Sequence, residues 1–410
     1  MRSQRGDQSL PSPSPRPSPS GGGSPPSSPS PWEGAGGTDS RCPRLLLISA
    51  LALLGLPLSS PASDFAARVI AYAPAPGQFI NNPSFNNPAR AIGPPTGGGT
   101  ATPDNTSVVS LGGFGGSITL AFDHTVLDDP CNPFGLDAIV FSNAIWASND
   151  PNRRFAEGAI IEISLDTNAN DLADDPWFVV RGSHLPPLPA SSLQTQPWDD
   201  SGATPTPPSN VGWYPSPLVY PGFPASYTTT SFRLPALYET ATLVNPNGPT
   251  ATIEGAWGYA ELSPTLVLGD LDGDNLIDDP LITPEDYYTA PDNPRAVGLT
   301  PASAGGDAFD IAWAVDPITG EPASLPGFDF IRITTGVNFV AGALGELSAE
   351  IDGVADIRPR EAFFDRTGDA RAGVEDVYHW EGVRDDIDGD GAVTDADRAM
   401  LLRCVRRDEP

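Results

Sequence analysis

Lysine is absent from all 410 residues, so every basic side chain is an arginine. Against 22 arginines stand 52 carboxylates, and the formal net charge is −30. That balance excludes nucleic acid as a partner, because phosphate has to be neutralised by basic side chains. Histidine is scarce. His124, His184 and His379 have no partners at a spacing that suits zinc or a Ser–His–Asp set. Only three cysteines are present. Cys42 falls in the leader, and Cys131 and Cys404 lie in segments assigned to different domains, so both are expected to be free thiols. Apolar runs are short: Leu45 to Leu56 is twelve residues, below the roughly 20 that span a bilayer. No later segment reads as a transmembrane anchor.

What is present begins with Ser, Pro and Gly. Residues 1–40 contain little else and cannot bury enough apolar surface to fold. Residues 41–62 then read as a secretory signal: Arg41 and Arg44, the apolar run, and small residues up to a cleavage site near Ala62. The expected location is secreted, extracellular or at the cell surface.

From Phe65 onward short strands alternate with Gly and Pro turns. Ile118, Leu120 and Phe122 recur at the period of a half-buried strand. LDAIVF (136–141), AIIEISL (159–165), WFVVR (177–181), residues 265–268, FDIAWAV (309–315) and FDFIRIT (328–334) read the same way. This predicts an all-β, jelly-roll-like sandwich over 63–352. Within it, 185–250 is a Pro-rich, irregular excursion carrying Trp198 and Trp213. A linker is expected at 353–362. The segment 363–410 is a small helical module, with an amphipathic helix over 396–407 and a shorter one over 374–380.

One acidic phrase recurs. Asp270-Leu-Asp272-Gly-Asp274-Asn275-Leu276-Ile-Asp278-Asp279-Pro280 repeats Asp166-Thr-Asn168-Ala-Asn170-Asp171-Leu172-Ala-Asp174-Asp175-Pro176. A fuller version runs from Asp386 to Asp397. There Asp386, Asp388, Asp390, Thr394 and Asp397 occupy places 1, 3, 5, 9 and 12 of an EF-hand-type loop, Ala392 offers its carbonyl at 7, and Gly391 turns the chain at 6. Oxygen donors at these places suit calcium. In the two embedded loops the expected ligands are Asp270, Asp272, Asp274, Asp278, Asp279 and the Leu276 carbonyl, and Asp166, Asn168, Asn170, Asp174 and the Leu172 carbonyl. Neither has a carboxylate at place 12, so these are metal-clamped turns between strands rather than EF-hands. The alternative is an Asx-rich turn held by its own hydrogen bonds.

With its closing Asp and following helix, the Asp386 loop resembles the repeats of type I dockerin modules. The second repeat falls on Asp365, Thr367, Asp369 and Asp376, although Ala370 stands where glycine is expected and Gly373 offers no side-chain ligand. The resemblance implies a calcium-folded module and a cohesin-like or cell-surface partner. The recognition places hold Val374, Glu375, Asp395 and Ala396 rather than hydroxyl residues. SLGGFGGSITLAFD, GLDAIVFSNA, DDPWFVVRGS, GGDAFDIAWAVD and GFDFIRIT make residues 65–350 similar to uncharacterised secreted and cell-surface β-sandwich proteins of bacteria.

The sequence thus points to a binding or attachment protein, with carbohydrate as the candidate ligand and Trp198 and Trp213 as its stacking surface. A polysaccharide hydrolase and a purely structural component are the alternatives. Asp307, Asp310, Asp137 and Glu157 are the carboxylates outside the loops that acid–base chemistry could use, and as acids among strand residues they are expected to face solvent. Trp177 and Trp313 are expected in the core.

Overall fold

The computed structural model describes residues 63–146, 149, 154–155, 157–180, 194–197, 226–229, 238–243, 253–256, 259–293, 299–336, 348–389 and 391–407. The leader, the signal segment, Trp198, Trp213 and Asp390 lie outside these residues.

Strand formation follows the apolar runs. The first four strands are β1 (Arg68–Ala73), β2 (Val109–Ser110), β3 (Ser117–Leu127) and β4 (Ala138–Ser142). They are followed by β5 (Ile145–Trp146), β6 (Arg154–Phe155), β7 (Ala159–Ser164) and β8 (Phe178–Val180). The segment expected to be irregular holds β9 (Gln194–Pro197), β10 (Ser226–Thr229) and β11 (Tyr238–Leu243), with β12 (Ile253–Ala256) just beyond it. β9 pairs with β10 and β11 with β12, so the excursion is partly built of antiparallel ladders. Last come β13 (Asp307–Phe309), β14 (Ala314–Val315), β15 (Gly327–Thr335) and β16 (Glu350–Asp356).

Two larger sheets emerge, a six-stranded one in the order β1-β3-β15-β7-β8-β14 and a four-stranded one in the order β13-β4-β16-β2. In the first, Ile331 faces Leu120 on one side and Ile163 on the other, and Ile333 faces Ile118 and Ile161. These aliphatic rows fix the register, because a one-residue slip would send each to the opposite face. Ile118, Leu120, Ile161, Ile163, Ile331 and Ile333 of one sheet join Ile139, Phe141, Phe309, Ile351 and Val354 of the other in a single buried core. The fold is β-rich, as expected.

Several boundaries differ from expectation. FDIAWAV is not one strand. Asp310 accepts a hydrogen bond from the Ala312 amide (2.7 Å) and caps a 3-10 turn over Ile311–Trp313 that separates β13 from β14. Residues 265–268 form only a bridge, Thr265 to Gly305. The stretch expected as linker is structured: β16 runs to Asp356, and Asp352 sits buried in it because its Oδ2 accepts the Thr96 and Gly97 amides. Trp313 is buried as expected, but Trp177 is half-buried beneath Arg332, whose guanidinium lies 4.4 Å from the ring centroid.

The described residues include four α-helices: α1 (Pro284–Tyr287), α2 (Glu361–Phe364), α3 (Val374–Val383) and α4 (Asp395–Val405). None of the described helices is long and apolar enough to cross a membrane. Met400, Leu401 and Cys404 of α4 pack with Phe364, Val377, Trp380, Ile387 and Cys131 in a second core. Here the expectation of free thiols fails. Cys131 and Cys404, separated by 273 residues, form a disulfide with Cα atoms 4.6 Å apart. Cys131 belongs to the β3–β4 connection and Cys404 to α4, so the bond ties the C-terminal helices to the β-rich part. Sequence separation gave no sign of it.

Candidate metal centre

All four acidic loops make the same turn. At place 1, a carboxylate oxygen of Asp166, Asp270, Asp365 and Asp386 accepts the amide of place 6, at 2.6, 3.1, 2.6 and 2.7 Å. The place-6 residues Asp171, Asn275, Ala370 and Gly391 all have left-handed backbones, with φ of 58°, 68°, 68° and 79°. Place 4 is also left-handed, in Ala169, Gly273, Gly368 and Gly389. Asn and Asp tolerate this region better than other side chains, which explains how two of the loops dispense with a place-6 glycine.

Beyond the turn the loops diverge. Asp270, Asp272 and Asp278 each bring a carboxylate oxygen within 4.8 Å of the others, and so do Asp386, Asp388 and Asp397. Oxygens on opposite sides of a calcium ion at 2.3–2.6 Å stand about 5 Å apart. Both triads therefore have the span of a calcium shell. Among the described residues neither the Asp166 nor the Asp365 loop gathers three carboxylates in this way.

The Asp270 loop is anchored from both sides. Asp270 is fully buried, and its oxygens accept the Gly273 (2.9 Å) and Asn275 (3.1 Å) amides. Its carbonyl accepts the Tyr287 hydroxyl, and the Asn275 side chain exchanges hydrogen bonds with Thr100, accepting from the amide at 2.9 Å and donating to the hydroxyl at 2.9 Å. Burial pushes the Asp270 carboxyl above its usual range, with Asp274 and Asp272 adding to the effect against two backbone hydrogen bonds. Asp274 and Asp279 stand outside the triad. They accept the Leu276 (2.8 Å) and Leu281 (2.9 Å) amides.

In the Asp386 loop the closing residue organises the rest. Asp397 is fully buried. Its Oδ1 accepts the amides of Ile387 (2.7 Å) and Asp388 (3.2 Å), and its Oδ2 accepts that of Thr394 (2.6 Å). Thr394 returns the favour at the helix start by accepting the Ala396 amide at 3.0 Å, a capping arrangement that positions α4. Asp376 repeats this in the Asp365 loop, accepting from Arg366 (2.7 Å), Thr367 (2.9 Å) and Gly373 (2.7 Å). Asp365, however, spends its carboxylate on the amides of Thr367, Gly368, Asp369 and Ala370. Desolvation opposes them, yet the four donors together hold its carboxyl below the ordinary range.

The Asp166 loop saturates itself. Asn168 and Asn170 turn their NH2 groups toward Asp174, at 3.5 and 3.2 Å, and Arg68 forms an ion pair with Asp171. Asp166 is tied to the six-stranded sheet through its amide, which donates to Asp329 at 2.7 Å.

The chain matches no protein-family model and no curated protein sequence.

Three of the four acids expected to face solvent are interior: Asp137 is 0%, Glu157 2% and Asp307 5% exposed, and Asp310 is half-buried. Sequence reasoning also missed two interior acids, Glu261 and Glu350. Glu157 accepts from Gln78 Nε2 (2.6 Å) and the Ser348 amide (3.0 Å), Glu261 accepts the Glu350 amide (2.7 Å), and Glu350 accepts from Asn143 Nδ2 (2.7 Å). Burial pushes all three upward: Glu350 reaches about 7 against the Asn143 hydrogen bond, repulsion from Glu350 adds to the rise of Glu157, and repulsion from Glu157 and Glu350 adds to that of Glu261. Nothing in the local sequence separates these acids from exposed ones.

Proposed function

We propose that this is an exported, calcium-stabilised β-sandwich protein with a dockerin-like C-terminal module, serving binding or attachment at a cell surface or in a matrix. The observation that carries the reading is the coincidence of two carboxylate triads, Asp270/Asp272/Asp278 and Asp386/Asp388/Asp397, with two loops of EF-hand-like spacing. The Cys131–Cys404 disulfide supports export, since such bonds persist in oxidising compartments. The shared core between the two sheets supports the sandwich.

Sites of this type outside cells bind at about 10⁻⁴–10⁻³ M, so they fill after export. Unfilled, each triad leaves like charges a few Å apart and weakens the folded loop. A hydrolase reading is disfavoured because three of its four candidate acids, Asp137, Glu157 and Asp307, are 0%, 2% and 5% exposed, and the fourth, Asp310, caps a 3-10 turn. Thermal melts of the full chain in millimolar calcium and in EGTA test the proposal. Calcium at one to ten times its dissociation constant stabilises by about 0.4–1.4 kcal/mol per site, so the two triads together predict a rise of about 2–5 °C. An unchanged melting temperature would overturn it.

A further inference from the structure

The chain enters the fold immediately after the cleavage site expected at Ala62. Phe65 bridges to Ala355, and the Ala66 amide donates to the Val354 carbonyl at 2.9 Å, both on β16. The Ala67 amide then donates to Ala121 of β3 at 2.8 Å. Phe65 and Ala66 are 2% and 0% exposed, so this segment is wedged between the two larger sheets. Ser63 stands just outside it, and its backbone nitrogen donates to Asp123 Oδ2 at 3.3 Å.

That nitrogen faces an ion network short of one cation. Asp123 Oδ1 pairs with His124 Nδ1 at 2.9 Å, and His124 Nε2 pairs with Asp356 Oδ2 at 2.8 Å. Asp64 pairs with Arg358, and its carbonyl accepts the Asp356 amide at 2.7 Å. The hydrogen bond to Asp356 is the main reason that His124 rises to about 9, so it is a cation at neutral pH. Three carboxylates, Asp64, Asp123 and Asp356, therefore meet two cations, His124 and Arg358. Asp129 also faces Asp356, and Arg407 lies 3.9 Å from it. One negative charge is left over, and the Asp123 oxygen turned away from His124 is the one that meets Ser63.

We infer that the mature chain begins at Ser63 and that its new α-ammonium completes this network by pairing with Asp123. Such a start presupposes the export proposed above, with Ser60 and Ala62 as the small residues ahead of the cut. A signal peptidase hydrolyses the Ala62–Ser63 amide: the water oxygen ends in the Ala62 carboxylate, and both water protons end on the Ser63 nitrogen. A neutral donor thereby becomes a cation in the same place, and charge-assisted hydrogen bonds are about twice as strong as neutral ones. Because Phe65 is buried two residues on, a peptidase reaches this bond before the segment settles between β16 and β3. Hydrolysis comes first, and seating of the chain start follows.

The absence of lysine makes this testable, since no side-chain amine competes with the α-amine for acylation. The full chain is expressed with its leader, and the exported product is sequenced from its N-terminus. Ser63 is expected in the first cycle. Trace acetic anhydride at about pH 7.5, just below the ordinary α-amine range, then compares the wild type with Asp123→Asn. The asparagine is isosteric and keeps an oxygen for His124, and the Asp123 side chain is 45% exposed, so the variant folds. The wild-type amine is expected to react about threefold more slowly, the size of an exposed ion pair. Equal rates from a Ser63 start overturn the pairing and leave export standing. An exported product that begins at another residue overturns the inferred start, and a chain that keeps its leader overturns export as well.

Discussion

The Asp270 and Asp166 loops share an eleven-residue phrase and one turn, yet only the first gathers its acids. Two differences account for this. Places 3 and 5 are Asp272 and Asp274 in one loop, Asn168 and Asn170 in the other. An asparagine can donate, and both asparagines use their NH2 groups to quiet Asp174, while Arg68 quiets Asp171. Asp270, by contrast, is sealed under Tyr287, and its neighbours at places 3 and 9 point acceptors back at it. One loop has neutralised itself with protein groups, and the other keeps three of its acids gathered within 4.8 Å of one another.

The largest expected effect is on the buried member of the pair. Asp270→Ala leaves the Gly273 and Asn275 amides without their acceptor inside the fold and should lower stability by about 3 kcal/mol. Asp166→Ala, on an exposed loop where water can replace the carboxylate, should lower it by about 1 kcal/mol. Urea denaturation of both variants checks the ratio. Equal losses would break the comparison.

Interior acids with no metal extend the contrast. Glu350 rises from an ordinary 4.5 to about 7 and Asp352 from 3.8 to about 6, each through burial opposed by hydrogen bonds. Their folded values exceed the unfolded ones, so the associated stability is fully present below about pH 4 and is lost as pH climbs through 6 and 7. His124, raised to about 9 mainly by its hydrogen bond to Asp356, acts in the same direction between 6.5 and 9. In EGTA the protein should be more stable at pH 5 than at pH 8, by on the order of 3 kcal/mol. Denaturation midpoints across that range give the answer, and a rise toward pH 8 would contradict it.

A smaller change should convert one loop toward the other. Asn168→Asp with Asn170→Asp restores the acids of the Asp270 phrase, and calcium affinity at this loop should rise by about tenfold, or about 1.4 kcal/mol. Calorimetric titration reads it. The smallest effect belongs to Arg68→Ala. The side chains of Arg68 and Asp171 are 44% and 70% exposed, and such pairs contribute about 0–1 kcal/mol. A loss above 2 kcal/mol in urea would show that the ion pair, rather than the asparagines, governs this loop.

Much of this contrast is written locally and is legible in the chain. Acid spacing marked all four turns, alternation marked β3, β7 and β15, and the Met400/Cys404 and Leu401/Val405 spacing marked α4. What could not be read depends on distant partners. Cys131 meets Cys404 only through the packing of α4 beside the β3–β4 connection. The sequence places a linker from Gly353, but β16 runs through it, and the Thr96 and Gly97 amides make an interior strand tolerable for Asp352. Asp137 and Glu157 read as solvent-facing, and Glu350 carries no local mark, because the donors that admit them to the core come from elsewhere in the chain.

Under the proposed function the loops differ in their use of a cation, and anomalous scattering from crystals grown with calcium would show it at each site. Peaks are predicted among Asp270, Asp272 and Asp278 and among Asp386, Asp388 and Asp397, each stronger than any at Asp166. Bare maps at both triads, or a peak at Asp166 alone, would contradict the account.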